Sequence, residues 1–161
     1  MDENQKWERP IFSRPKSAGH RIWGTEDILE SSSGKWMLKK LFMKSGAKGG
    51  LQYHRLKDEG GILISGELLI RYSEDNLLLK EKIIKPGESF HFPPYCIHQE
   101  EALKDSIIIE VTTPHFNDRV RMEKSFGQKN EDYPRKNWSS VIIWNCSHPK
   151  NKQLDPSFVS D

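Results

Sequence analysis

From Lys35 onward the chain is a string of short apolar runs, each cut off by residues that turn the backbone. The runs are Trp36–Met43, Leu51–Leu56, Ile62–Tyr72, Leu77–Ile84, Glu88–Phe92 and Ser106–Thr113. Runs of strand length at this spacing, with little helical periodicity between them, restrict the chain to an all-β sandwich or barrel. The breaks agree. Ser65-Gly66 interrupts an apolar run where a tight bend is expected, and Ser73-Glu74-Asp75-Asn76 separates two runs able to pair as a hairpin. Lys85-Pro86-Gly87-Glu88 carries Pro and Gly at the two central places of a type II turn.

At 161 residues the chain is long enough to bury one modest core and too short for a second full domain. Residues 1–20 are polar, contain Pro10 and Pro15, and read as an arm ordered only by leaning on the body or on a partner subunit. Residues 21–127 form the barrel. Residues 128–161 are a mixed extension, in which Val141–Trp144 suits an edge strand and the stretch through Pro149 and Pro156 reads as a loose tail. A short helix is expected at most within residues 115–135.

The balance of 25 basic against 23 acidic side chains, a net charge of +2, provides no field of the kind that tracks nucleic acid. It points to a small ligand or a protein partner. Cys96 and Cys146 have no metal or disulfide spacing, and no stretch approaches the roughly 18 apolar residues of a membrane helix. The expectation is a cytoplasmic protein with no membrane partner, and a homodimer paired through a sheet edge.

The chemistry lies in Gln52-Tyr53-His54-Arg55-Leu56-Lys57-Asp58-Glu59 and, much later, His98. In a strand over 51–56, alternation sends Gln52, His54 and Leu56 to one face and Tyr53 and Arg55 to the other. Glu59 follows just past that strand, and His98 starts a new one after the bend Phe92-Pro93-Pro94-Tyr95. Taken singly, each is an ordinary polar residue. Two imidazoles and a carboxylate meeting on the inner face of a barrel make a ligand set for zinc, manganese, nickel or iron. Gln52 is placed to add a fourth ligand; otherwise water takes that position.

Gly50-Leu51-Gln52-Tyr53-His54 to Glu59, then Ser65-Gly66, resembles the first cupin motif, and Pro86-Gly87 through Pro93-Pro94 to His98 resembles the second. The likeness is greatest to small cupins of the mannose-6-phosphate isomerase type. It takes in Arg21-Ile22-Trp23-Gly24 and the segment Glu110–Glu123, which contains Arg119 and Arg121. It implies a jelly-roll barrel, a divalent metal on His54, Glu59 and His98 with Gln52, and a sugar or sugar-phosphate ligand.

Three positions depart from the family pattern: Leu56 stands where a second histidine is usual, Tyr95 where Pro-Pro is usually followed by Gly, and no Asn follows His98. Tyr95 reaches positive φ only at a cost, so a different bend is expected there.

The reaction implied first is metal-assisted aldose–ketose isomerisation or epimerisation. Glu67, Glu110, His91 and Glu59 are the candidate bases. Arg119 and Arg121, with Lys39 and Arg71, are candidates to meet an anionic group, and Tyr53 and Phe92 to stack on a sugar ring. Trp23, Trp36, Trp138 and Trp144 read as packing residues. Two other readings stay open: an Fe(II) dioxygenase with a two-histidine, one-carboxylate centre, and a barrel that binds a sugar without turnover.

Overall fold

The structure, a computed structural model, describes residues 8–128. Strands β1 (Lys16–Arg21), β2 (Gly24–Ser32) and β3 (Trp36–Met43) run antiparallel in sequence order, and β3 lies against β8 (Ile97–Thr112). β8 also pairs with the short β4 (Gln52–His54) and, along most of its length, with β5 (Glu59–Ser73). β5 takes β6 (Lys80–Ile84) and β7 (Ser89–Phe92) as further partners, and β9 (Arg119–Arg121) adds to β4. A single 3-10 turn, Glu123–Phe126, follows. Among the described residues no helix is long and apolar enough to cross a membrane.

The β5–β8 ladder shapes the molecule. Glu59 is paired with Thr112 at one end, and Tyr72, 13 residues on, with His98 at the other. At about 3.3 Å per residue a straight ladder would hold these ends roughly 40 Å apart. Yet Glu59 Oε2 lies 3.4 Å from His98 Nε2. The ladder therefore curls until its two ends face each other, and the sheet becomes a barrel.

The bend sits mid-ladder, where the register shifts between Leu63 and Ser65, Ser65 and Glu67, and Glu67 and Leu68. Bulges of this kind raise the local twist and bend a strand. Gly66 is part of the device: its φ is +93°, and a Cβ there would lie 2.4 Å from the Asp105 carbonyl oxygen. The Ser65-Gly66 break is thus a bulge inside one long strand, not a turn between two, because β8 continues alongside and keeps it paired.

Inside the curl the alternate positions are apolar: Leu63, Leu68 and Ile70 of β5, Ala102 and Ile108 of β8, Met43, Ile84 and Phe92 form one buried cluster. Trp23 packs against it, whereas Trp36 is half-exposed. The hairpin between β5 and β6 turns at Ser73–Asn76 as its composition suggests, and Gly87 has φ +89° with Glu88 N–H donating to the Lys85 carbonyl at 2.9 Å.

Other elements differ from expectation. The last residues of the expected arm, from Lys16, pair with β2. The 51–56 strand stops at His54, because both backbone N–H groups of Leu56 and Lys57 turn to the Asp118 carboxylate at 2.8 Å. Leu56 accordingly leaves the inner face and is exposed. Trp138, Trp144, Cys146 and Val141–Trp144 lie outside the described residues.

Candidate metal centre

Three elements deliver the chelating atoms. β4 ends on His54, β5 begins with Glu59, and β8 carries His98 at its second residue. All three side chains are buried, and one donor atom from each lies within 4.8 Å of the others. Glu59 Oε2 is 3.4 Å from His98 Nε2 and 3.7 Å from His54 Nε2. Ligands each about 2.1 Å from one cation stand roughly 3–3.5 Å apart, so the spacing fits a single ion with little movement.

The hydrogen bonds behind the rings decide which nitrogen is free. His98 Nδ1 lies 3.0 Å from the Cys96 carbonyl, which can only accept, so Nδ1 carries a proton and Nε2 is the nitrogen turned toward Glu59. That Nε2 is buried without a hydrogen-bond partner. His54 Nδ1 donates to Asp118 Oδ1 at 2.9 Å, which leaves its Nε2 on the side of Gln52 and Glu59. Two buried imidazole nitrogens and a carboxylate oxygen gathered within 4.8 Å of one another form a donor set that could hold one metal ion. An imidazole braced by a carboxylate is a recurrent support for a metal-ligating histidine.

Charge is arranged to match. Burial works against an ionised Glu59, but His98 and the Lys57 ammonium on Oε1 outweigh it and hold the carboxyl well below its usual range. Burial likewise opposes a charge on His98, yet the Cys96 carbonyl and Glu59 outweigh it and favour the protonated ring, so a cation at Nε2 would take the place of a proton. Burial lowers that of His54. Asp118 resists burial through the N–H groups of Leu56 and Lys57 and through His54, which bring it to about 2.

The Gln52 amide nitrogen lies 3.5 Å from His54 Nε2, near enough that turning the amide would present its oxygen on the same side. Tyr53 faces the other way from His54 and stacks on Tyr95, ring centroids 5.8 Å apart. The Phe92 ring covers the His98 imidazole at 4.1 Å and 5°, so that face is taken by His98 and is closed to a sugar. Register sets Arg121 opposite Gln52 and Arg119 opposite His54; Arg121 pairs with the buried Glu123 at 2.6 Å and Arg119 is exposed.

Arg71 is engaged by Glu81 and Glu101, on a face with Gln99. His91 is exposed and bound to Asp58 at 2.7 Å, and Glu67 lies 3.5 Å from Lys104. Lys39 and Glu110 are buried together in the barrel. Sequence reasoning missed Asp118 and Lys57. Asp118 is 64 residues from the histidine it braces, and no local pattern marks it.

No protein-family model matches the chain. A 28-residue stretch is 64% identical to Protein CDI of Arabidopsis thaliana, 17% of this chain and 11% of that protein. Solved structures agree over far more of it. The capsular polysaccharide assembling protein CapF from Staphylococcus aureus superposes with a TM-score of 0.59 at 17% identity, covering 69% of this chain and 32% of its own. An RmlC-like cupin from Shewanella frigidimarina matches at 0.53 and 21%, covering 69% and 95%. KdgF from Halomonas sp. matches at 0.53 and 19%, covering 63% and 90%.

The fold is that of the cupins. This chain spans about a third of CapF and nearly the whole of the two smaller proteins. Within the cupin barrel, Tyr95 does adopt the left-handed conformation, φ +67°, that Gly usually supplies, contrary to the different bend expected. Cys96 N–H closes the turn onto the Pro93 carbonyl at 3.0 Å and Tyr95 N–H donates to the His54 carbonyl at 2.7 Å. With the Tyr53 stack, these contacts offset a strain of about 1–3 kcal/mol.

Proposed function

We propose that the barrel holds one divalent cation on His54 Nε2, His98 Nε2 and Glu59 Oε2, with Gln52 as a fourth ligand, and uses it on a sugar or sugar phosphate as an isomerase or epimerase. The observation that carries the cation is His98 Nε2, buried and without a hydrogen-bond partner beside two other donors. When bound, a divalent ion polarises a carbonyl and steadies the negative charge that develops when a neighbouring carbon loses its proton. The chain's own residues do the rest. Asp118 and the Cys96 carbonyl hold the imidazoles in the chelating tautomer, Lys57 keeps Glu59 ionised, and Phe92 excludes water from one face of His98. Arg119 and Arg121, on the strand beside β4, are the cations proposed to meet a phosphate.

The sugar assignment is supported by the cupin resemblance of the sequence and by the likeness in fold to CapF, a capsular polysaccharide assembling protein also solved with the inhibitor 3-isopropenyl-tropolone. The two-histidine, one-carboxylate donor set also suits Fe(II) oxygen chemistry, and the element bound separates the two.

Elemental analysis of protein purified without chelator tests the centre against a His54→Ala/His98→Ala variant. Near-stoichiometric zinc, manganese or nickel, lost in the variant, is the expected result. Iron with oxygen uptake would favour the dioxygenase, and a folded protein that binds no added divalent ion would sink both. Gln52→Leu is expected to weaken cation binding more than Leu56→Ala. Equal effects would make the fourth ligand water.

A further inference from the structure

One row further into the barrel from Glu59, the inner face carries charge again. Thr112, Glu59 and Phe92 are register partners across β8, β5 and β7 and form the row of the cation site. Leu41, Ile108 and Leu63 form an apolar row across β3, β8 and β5. Between them lie Lys39 of β3 and Glu110 of β8, paired with each other, with Gly61 of β5 next in line. Same-face positions two residues apart on a strand are roughly 6.5–7 Å apart, so this charged row is the immediate neighbour of Glu59.

Lys39 and Glu110 are each 7% exposed. Lys39 Nζ donates to Glu110 Oε1 at 2.9 Å and lies 3.2 Å from Glu26 Oε1, while Arg21 takes Glu26 Oε2 at 2.7 Å. Burial opposes the charge on Lys39, but Glu110, Glu26 and more weakly Glu59 outweigh it and raise its pKa. An ammonium has three donors, and these two carboxylates account for two. Lys39 takes Glu110 through Oε1 and leaves Oε2 outside that contact. A buried ion pair costs desolvation that apolar residues of the same size would avoid.

We propose that Glu110 is the catalytic base of the site and Lys39 its positioning residue. This rests on the isomerase reading above. The other bases the sequence offered are disposed of by their surroundings: Glu59 is a ligand, His91 is exposed on Asp58, and Glu67 is held toward Lys104 beside the mid-ladder bulge. Glu110 Oε2 takes the proton from the carbon next to the substrate carbonyl. The C–H electron pair becomes the second bond between the two carbons, and the carbonyl pair moves to its oxygen. The same carboxylic acid returns its proton to the former carbonyl carbon, while the hydroxyl proton passes to the neighbouring oxygen. Lys39 clamps Oε1, so that Oε2 is the atom left to accept.

The test loads the protein with Mn2+ for binding and exchange, and uses Zn2+ for NMR line shape. Glucose 6-phosphate, mannose 6-phosphate and fructose 6-phosphate serve as probes in D2O, and deuterium entry at carbons 1 and 2 is followed. Wild type is expected to exchange with at least one. Glu110→Gln is expected to lose about 100-fold or more of that exchange while its Mn2+ affinity, read by calorimetry, stays unchanged, because Glu110 is no ligand. Lys39→Gln should lose part of the exchange and Lys39→Arg should restore some of it, a rescue that a packing role does not predict. If Glu110→Gln fails to bind Mn2+, Glu110→Asp keeps the charge beside Lys39 and retracts the carboxylate by one carbon, with the same expectation. Exchange undiminished in the variant overturns Glu110 and leaves the isomerase reading standing. No exchange by wild type with bound cation overturns the isomerase reading and the base together.

Discussion

The middle of the β5–β8 ladder and its two ends are built from the same two strands and do opposite things. In the middle, Leu63, Leu68, Ala102 and Ile108 face inward, essentially without exposure, and each larger side chain contributes about 1.5–3 kcal/mol by leaving water. At the ends the inward positions are Glu59, Glu110 and Thr112 on one side and His98 on the other, all buried as well. Burial of that kind works against stability unless the groups are paired. The difference teaches that the apolar middle holds the curl while the ends spend part of that stability on a donor set. The proposed cation site lies where the ladder meets itself.

This division can be broken from the middle first. Leu63→Ala is expected to lower unfolding free energy by about 2–5 kcal/mol in urea titration and to leave cation stoichiometry intact in the folded protein. Loss of the cation at full helicity-independent signal, with strands still formed by circular dichroism, would show that the core also tunes the site. Gly66→Ala forces a Cβ toward the Asp105 carbonyl at positive φ, and is expected to cost about 1–3 kcal/mol. It should also weaken cation binding, because the bulge sets how far the ends close. Unchanged affinity in a destabilised variant would mean that contacts near the mouth hold the ends together by themselves.

The ends are sharpened by Asp118, which touches no cation and braces His54. Asp118→Asn is expected to weaken cation binding by about 10–100-fold, measured by competition with a chelating dye. Its pH dependence has a definite sign. The carboxyl is depressed from 3.8 to about 2 in the folded state, so its stabilisation is fully present above 3.8 and is lost as pH falls through about 2. The stability gap between wild type and the Asp118→Asn variant should therefore close across that window in acid titration. A gap independent of pH there would assign Asp118 to packing.

Much of the architecture was legible before any coordinates. Short alternating runs dictated strands, Pro86-Gly87 dictated its turn, and His54, Glu59 and His98, which the fold brings together, stood out as candidate ligands by residue type and order. β1, β2 and β9 were not legible. Their residues are too polar to show period-two alternation, and pairing with a neighbour, not composition, makes them strands. Ser65-Gly66 misled in the same way, since a glycine that bends a strand and one that ends it look alike locally.

What the sequence determined by itself is local: which residues alternate, which turn, and which side chains can chelate. What only the tertiary structure decided is every contact that depends on the curl. Glu59 reaches His98 from the opposite end of a ladder, Asp118 reaches His54 across 64 residues, and Lys39 meets Glu110 across 71. Such contacts follow from register and from the bulge at Gly66, and a shift of one residue in either would send these side chains to the other face. Tyr95 makes the same point in one residue, because its left-handed backbone is set by the turn around it and by the Tyr53 ring, not by its own preference.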